Sequence, residues 1–257
     1  MSKQTYRKKW LSQSGAGEGS ELPSAPVQLS EEQKRPYLEG QVLLIDKPLH
    51  WTSFDVVRKL RGVLQIKKIG HAGTLDPLAT GLLIVCTGRF TKEINTYMAA
   101  EKEYTGCITL GAVTPTYDLE SEPTEFRPYE HINSGLLNEK AAQFTGDIMQ
   151  RPPVYSAIKK NGTAAYELAR RGEEVELAAR PVRISVFELT RIELPVVDFR
   201  VVCSTGTYIR SLANDFGAEL GCGGYLSSLR RTRIGPYSVE EALPVDEWVS
   251  RIRSQAK

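Results

Sequence analysis

The chain has 257 residues, 41% of them hydrophobic and 25% charged, with a formal net charge of +2. That is globular composition, which excludes a disordered or fibrous protein, and the length suits one large domain or two small ones. So small a positive charge allows a polyanionic partner only if basic residues gather on one face.

Residues 1–38 read as a flexible N-terminal tail. Its run from Ser12 to Ser20 is small, polar and Gly-rich, and buries too little apolar surface to offset ordering. The cations before it, Lys3, Arg7, Lys8 and Lys9, read as a solvated terminus. Val42-Leu43-Leu44-Ile45 then makes a short apolar strand, ending in Asp46-Lys47-Pro48. Thr52 or Ser53 caps a helix whose inner face carries Val56, Val57, Leu60 and Leu64, with Arg58, Lys59 and Arg61 outside. Leu82 to Cys86 is an apolar run after the Gly70–Gly81 loop. Tyr104, Gly106, Ile108 and Leu110 alternate with Thr105, Cys107 and Thr109, a strand pattern. Residues 113–135 are rich in Pro, Glu, Thr and Ser and read as an exposed connection. Helices are expected over Asn138–Phe144 and Ala164–Arg171, the second stopped at Gly172. Strands follow at Ile184–Leu194 and Phe199–Cys203. Ile209, Leu212, Ala213, Phe216 and Leu220 recur at helical spacing before Gly221. Strands and helices mix without regular βα alternation, which predicts an α+β fold with a mixed, largely antiparallel sheet.

Cys86, Cys107, Cys203 and Cys222 form no Cys-x-x-Cys pair, and His50, His71 and His131 are the only histidines, so no zinc site of the usual spacing is expected. Three of the cysteines read as small buried hydrophobes, and their scatter without a signal peptide points to a reducing cytoplasm. No apolar run approaches the about 20 residues of a membrane span. No exposed apolar stripe stands out, so a monomer is expected.

Three segments carry candidate chemistry. In Gly70-His71-Ala72-Gly73-Thr74-Leu75-Asp76-Pro77-Leu78-Ala79-Thr80-Gly81, three glycines allow tight turns and close backbone approach, and Pro77 fixes the chain just after a carboxylate. In Cys203 to Leu212, a strand ends near Gly206, and Tyr208 and Arg210 open a helix, where a site can be built. Tyr104 starts its own strand. Each has a bland alternative: a Gly-rich turn, a surface tyrosine and arginine, a core aromatic. Two basic clusters, Arg58 to Lys68 and Arg230, Arg231 and Arg233, flank these segments in sequence.

The loop from Gly70 to Gly81 resembles the signature of the tRNA pseudouridine-55 synthases, the TruB family. Leu44-Ile45-Asp46-Lys47-Pro48, Lys102-Glu103-Tyr104, Arg151-Pro152-Pro153-Val154-Tyr155-Ser156-Ala157, Gly206-Thr207-Tyr208-Ile209-Arg210 and Leu229-Arg230-Arg231 resemble its other motifs, in order. The resemblance covers about residues 40–248 and implies a pseudouridine synthase catalytic domain over 39–250, with 113–155 as an insertion that contacts RNA. Longer members carry a small C-terminal RNA-binding (PUA) domain, which is not expected here.

The resemblance also implies roles. Asp76 matches the catalytic aspartate, and Arg210 the arginine that pairs with it. Tyr104 matches the tyrosine against the target base, a candidate to assist proton removal. Tyr208 and Leu229 match residues lining the uridine pocket, His71 a histidine that packs where the base has left, and Lys47 a supporting lysine. Arg230 and Arg231 are expected on the RNA backbone. The implied partner is the T-arm of tRNA, with no cofactor and no metal. A different RNA target and a non-catalytic RNA-binding role are the competing readings.

Overall fold

The computed structural model describes residues 28–255 apart from 157, 161 and 174. The expected tail therefore lies outside the described residues up to 27, and its remainder is corrected by the structure. Helix α1 (Glu31–Glu39) opens with a capping box: Ser30 Oγ accepts from Gln33 N at 3.2 Å, and Gln33 Oε1 accepts from Ser30 N at 2.7 Å. Leu29 and Tyr37 are buried in the same cluster as the first strand. Pro36 in mid-segment and the lack of an apolar stripe conceal this helix in the sequence; one buried ring anchors it.

Strand β1 (Val42–Lys47) leads into helix α2 (Ser53–Leu64), then to β2 (Ile69–Ala72) and β3 (Ala79–Thr87). Thr52 is the cap of α2, accepting from Asp55 N at 3.0 Å, and Val56, Val57, Leu60 and Leu64 are buried as their spacing predicts. Helix α3 (Ile94–Ala99) precedes β4 (Lys102–Leu110). Helix α4 (Ser134–Gln143) and β5 (Gly146–Gln150) follow, then the small hairpin β6 (Lys159–Lys160) and β7 (Thr163–Ala164), and α5 (Ala165–Arg170). The last section is β8 (Arg180–Glu193), β9 (Val196–Cys203), α6 (Ile209–Glu219), β10 (Gly224–Ile234), β11 (Tyr237–Ser238), β12 (Leu243–Pro244) and α7 (Val245–Ser254).

Among the described residues, the main sheet runs β12-β1-β3-β10-β4-β9-β8-β5, with β2 beside β3 and β11 beside β10. The β1–β12 and β3–β10 pairs are parallel, and the others antiparallel. This is the expected α+β fold. Strand β3 is apolar from Leu82 to Cys86 because both faces are covered there. Leu83 and Val85 pack with α2 and α7, while Leu82, Ile84 and Cys86 pack with Ile234 and Val239. Helix α6 lies against β10, so closely that a Cβ on Gly217 would fall 2.1 Å from Gly224 N. No helix among the described residues is long and apolar enough to cross a membrane.

Residues 113–155, expected as an insertion, are joined to the main sheet. β5 is an edge strand of the main sheet, and Thr114, Thr116 and Asp118 are buried. Isolated bridges from Val113 to Thr124 and from Asp118 to Leu226 supply the backbone partners that this polar composition hides. The middle of the segment does reach solvent, at Phe126.

Gly81 shows how tightly β3 and β10 approach. Its φ is +99°, and a Cβ there would sit 2.3 Å from the Arg231 carbonyl oxygen. Gly81→Ala is expected to cost about 2–3 kcal/mol of stability, since strain and backbone clash act together. Urea unfolding should show a lowered midpoint with unchanged slope; a midpoint within error of the parent would contradict the close approach.

Candidate active site

Asp76 sits in the loop between β2 and β3. Its carbonyl accepts from Ala79 N at 3.0 Å, closing a turn with Pro77 at the position proline favours. Three other elements fix this loop. Ser53 Oγ accepts from Leu75 N at 2.9 Å and donates to Leu75 O at 3.2 Å. His50 N donates to Pro77 O at 2.8 Å. Arg231 donates from Nη2 to Gly73 O at 3.1 Å and from Nε to Leu82 O at 2.8 Å. The aspartate is thus held by its backbone before any side-chain contact is counted.

Arg210 lies in the first turn of α6, only 5% exposed. Its Nε is 2.9 Å from Asp76 Oδ2, off the N–H direction, and its Nη2 donates to Asp76 Oδ1 at 3.4 Å. Nη1 donates to Thr116 O at 3.2 Å, and Nη2 also to Tyr155 O at 3.0 Å. Asp118 brings a second carboxylate, with Oδ2 3.7 Å from Arg210 Nε. One buried guanidinium therefore serves two aspartates and two carbonyls. Asp118 went unremarked in the sequence, within a segment of exposed-loop composition. An Asp that closes an Asx-type contact, here Oδ1 accepting from Glu120 N at 3.0 Å, looks like any turn residue.

The α6 opening is fixed by Gln150, which accepts from Tyr208 N at 2.8 Å and donates to Tyr208 O at 3.1 Å. Ser211 Oγ donates to Arg151 O at 2.8 Å. The Arg151–Ala157 motif thus acts through backbone: two of its carbonyls receive α6 side chains.

Asp76, Asp118, Arg210 and Leu229 line one cleft, with Leu78, Ala79 and residues 226–228 of β10. The β10 wall is irregular, because pairing with β4 shifts between Leu226 and Ser228, a bulge of the kind that re-aims side chains beside sites. The cleft encloses only about 20 Å³. That is room for about one water molecule inside the cleft, which opens to solvent beside Asp76.

Burial raises the Asp76 carboxyl above the usual carboxylate range. Arg210 opposes this most strongly, Asp118 adds to it, and Lys47 helps Arg210. The carboxylate is walled by protein on most sides yet open on one, with its side chain 40% accessible. Lys47 is fully buried, donating to Pro48 O at 2.9 Å and Trp51 O at 2.6 Å. Burial lowers its ammonium to about 8, partly offset by Asp76, so at neutral pH it still carries charge. Tyr104 is 9% exposed, faces Val201 and Arg231 across its strand neighbours, and has its phenol pushed up by burial, with Arg231 opposing. His71 is half-buried on β2 and its Nδ1 has no hydrogen-bond partner; burial and then Arg231 hold its imidazole below the usual value, hence neutral at pH 7.

The Tyr208 ring stacks under Arg180, whose Cζ is 5.2 Å from the ring centroid. One expectation changes. Arg231 cannot contact an RNA backbone, because it is 1% exposed and its donors are spent on Leu82 and Gly73. Arg230 is half-exposed but forks onto Asp46 at 2.8 and 3.0 Å, which largely neutralises it. Among the described residues no cluster of three or more His, Cys, Asp or Glu is arranged to hold a metal ion.

Residues 61–209 match the family described as TruB family pseudouridylate synthase (N terminal domain), and residues 210–250 match the tRNA pseudouridylate synthase B C-terminal domain. A tRNA pseudouridine synthase B of Flavobacterium johnsoniae is 57% identical over 216 residues, covering 81% of this chain and 94% of that protein. One of Chloroherpeton thalassium is 48% identical over 224 residues, covering 85% and 93%. Among solved structures, the chain is similar to that titled "Crystal Structure of a Cbf5-Nop10-Gar1 Complex", with a TM-score of 0.67 and 27% identity. That match covers 91% of this chain and 65% of the other, so the chain spans just under two thirds of that protein.

The balance at Asp76 can be measured directly. Its carboxyl carbon, followed by NMR, should titrate above the ordinary 3.8, the anion being lost sooner as pH falls. Arg210→Gln removes the main opposing charge and should move the midpoint higher still. A parent midpoint at or below 3.8 would mean that the guanidinium outweighs burial.

Proposed function

The chain belongs to the TruB family of pseudouridylate synthases and is a tRNA pseudouridine synthase, and on that premise we propose that it isomerises uridine 55 in the T-loop with Asp76 as the central catalytic group. The observation that carries the assignment of residues is the pairing of Asp76 with buried Arg210 at the floor of the cleft that Leu229 borders.

The reaction breaks the N1–C1′ bond, turns the base and joins C5 to C1′. It transfers no electrons and adds no group, so the chemistry calls for no cofactor. It does call for an anion beside the sugar, as nucleophile or as stabiliser of developing positive charge. Asp76 suits either route. Arg210 orients the carboxylate and favours its charged form, and the Thr116 and Tyr155 carbonyls fix Arg210 in turn. Lys47 adds positive charge from behind.

Tyr104 is buried and neutral, which suits contact with the face of the base. Acting as an anionic base would need the phenolate, which its burial disfavours. A uridine in a folded loop must leave its stack, at a cost of a few kcal/mol. The neutral imidazole of His71 is suited to fill the vacated space. The T-arm is the proposed binding partner, and a monomer in the cytoplasm the proposed form.

An unmodified tRNA transcript incubated with the protein should gain pseudouridine at position 55, mapped by chemical adduct and primer extension. Asp76→Asn should lower single-turnover rate at least on the order of 10³-fold while RNA binding persists. Modification at another position would move the target, and full activity of Asp76→Asn would remove Asp76 from the chemistry.

A further inference from the structure

Where the molecule keeps its uncommitted positive charge says how it holds RNA outside the active site. Several arginines of β9 and β10 are already committed. Arg230 is paired with Asp46, Arg233 with Glu101, and Arg200 with Glu103 at 2.8, 3.3 and 3.0 Å. Cations already matched to carboxylates release few counterions on meeting a phosphate.

The opposite holds in a groove of about 630 Å³ between α2 and the end of α7. Arg58, Lys59 and Arg253 line it, against one carboxylate, Asp55. Asp55 is already engaged by Thr52 N at 3.0 Å, Thr52 Oγ1 at 2.6 Å and Arg58 at 2.7 Å. Lys59 and Arg253 form no ion pair among the described residues. Trp51 forms an apolar wall of the groove, and Phe54, 57% exposed, lies one helical turn before Arg58 on the same face of α2. Unpaired cations beside exposed aromatic surface are the features that grip a nucleic-acid backbone.

The groove is also tied to the reaction centre. His50 lines it, and the His50 amide donates to the carbonyl of Pro77, the residue after Asp76. The groove and the loop that carries Asp76 are thus joined through one backbone hydrogen bond.

We propose that the α2–α7 groove is a second tRNA-binding site, taking backbone phosphates of the duplex that carries the target loop through Lys59 and Arg253. This rests on the reading of the chain as a tRNA-modifying enzyme but adds a surface distinct from the cleft. The groove residues act in binding and take no part in the chemistry.

The test uses the full chain and an unmodified tRNA transcript. Binding of the parent and of Lys59→Gln/Arg253→Gln is measured across a salt series, and single-turnover pseudouridine formation at saturating enzyme. Both sites are on the surface, so circular dichroism and melting temperature should match the parent. The expected result is Kd raised on the order of tenfold, a log–log salt slope shallower by about 2, and an unchanged saturating rate. Unchanged Kd and slope would overturn the proposal. So would weaker binding with the parent's slope, or a lower saturating rate with the parent's Kd. If the parent bound tRNA with the expected salt dependence but formed no pseudouridine, the proposed reaction would fall and the groove would stand.

Discussion

The structure depends on a single buried guanidinium. Arg210 is nearly inaccessible, and an unpaired charge in that position would be prohibitively costly. Its neighbours answer that demand from three separate parts of the chain: Asp76 before β3, Thr116 and Asp118 after β4, and Tyr155 after β5. The arginine thus gathers the site as much as it serves it. Two aspartates around one cation also leave the carboxylates in competition, which is why Asp118 pushes the Asp76 carboxyl upward while Arg210 draws it down.

A second buried arginine plays a quieter part. Arg231 ties Gly73, at the start of the Asp76 loop, and Leu82, within β3, to β10. Its charge reaches His71, Tyr104, Lys47 and Lys102 and disfavours protonation at each. Together with Ser53 and the His50 amide it places Asp76 through the main chain, so the carboxylate does not depend on Arg210 alone for position. A scaffold of this kind supplies preorganisation, in which charges and dipoles are set before substrate arrives. The cleft is the complement: fixed groups on one side, and a β10 wall with a bulge on the other.

Charge is distributed by the same economy. The net charge of +2 is too small to hold a polyanion uniformly. Carboxylates pair with Arg191 of β8, Arg200 of β9 and Arg230 and Arg233 of β10, whereas among the described residues Lys59 and Arg253 on the α2 side form no ion pair.

Much was legible in the sequence, for identifiable reasons. The 3.6-residue spacing of Val56, Val57, Leu60 and Leu64 and the alternation from Tyr104 to Leu110 follow local geometry, and both formed as expected. The Gly70–Gly81 string announced a backbone site because its glycines and Pro77 restrict the main chain whatever surrounds them. Asp76 and Arg210 were singled out by motif, and the fold brings them together across 134 positions. What only the tertiary structure decided were long-range electrostatics and exposure. Arg230 and Arg231 are adjacent on β10, yet one forks onto Asp46 near the surface and the other is sealed inside, since strand neighbours point to opposite faces. Tyr208 turned toward Arg180, Asp118 entered the site from a stretch that reads as loop, and α1 formed around one buried tyrosine. Local sequence sets backbone preference over a few residues; whether a charge is buried, and which distant group meets it, is fixed only when the sheet has closed its register.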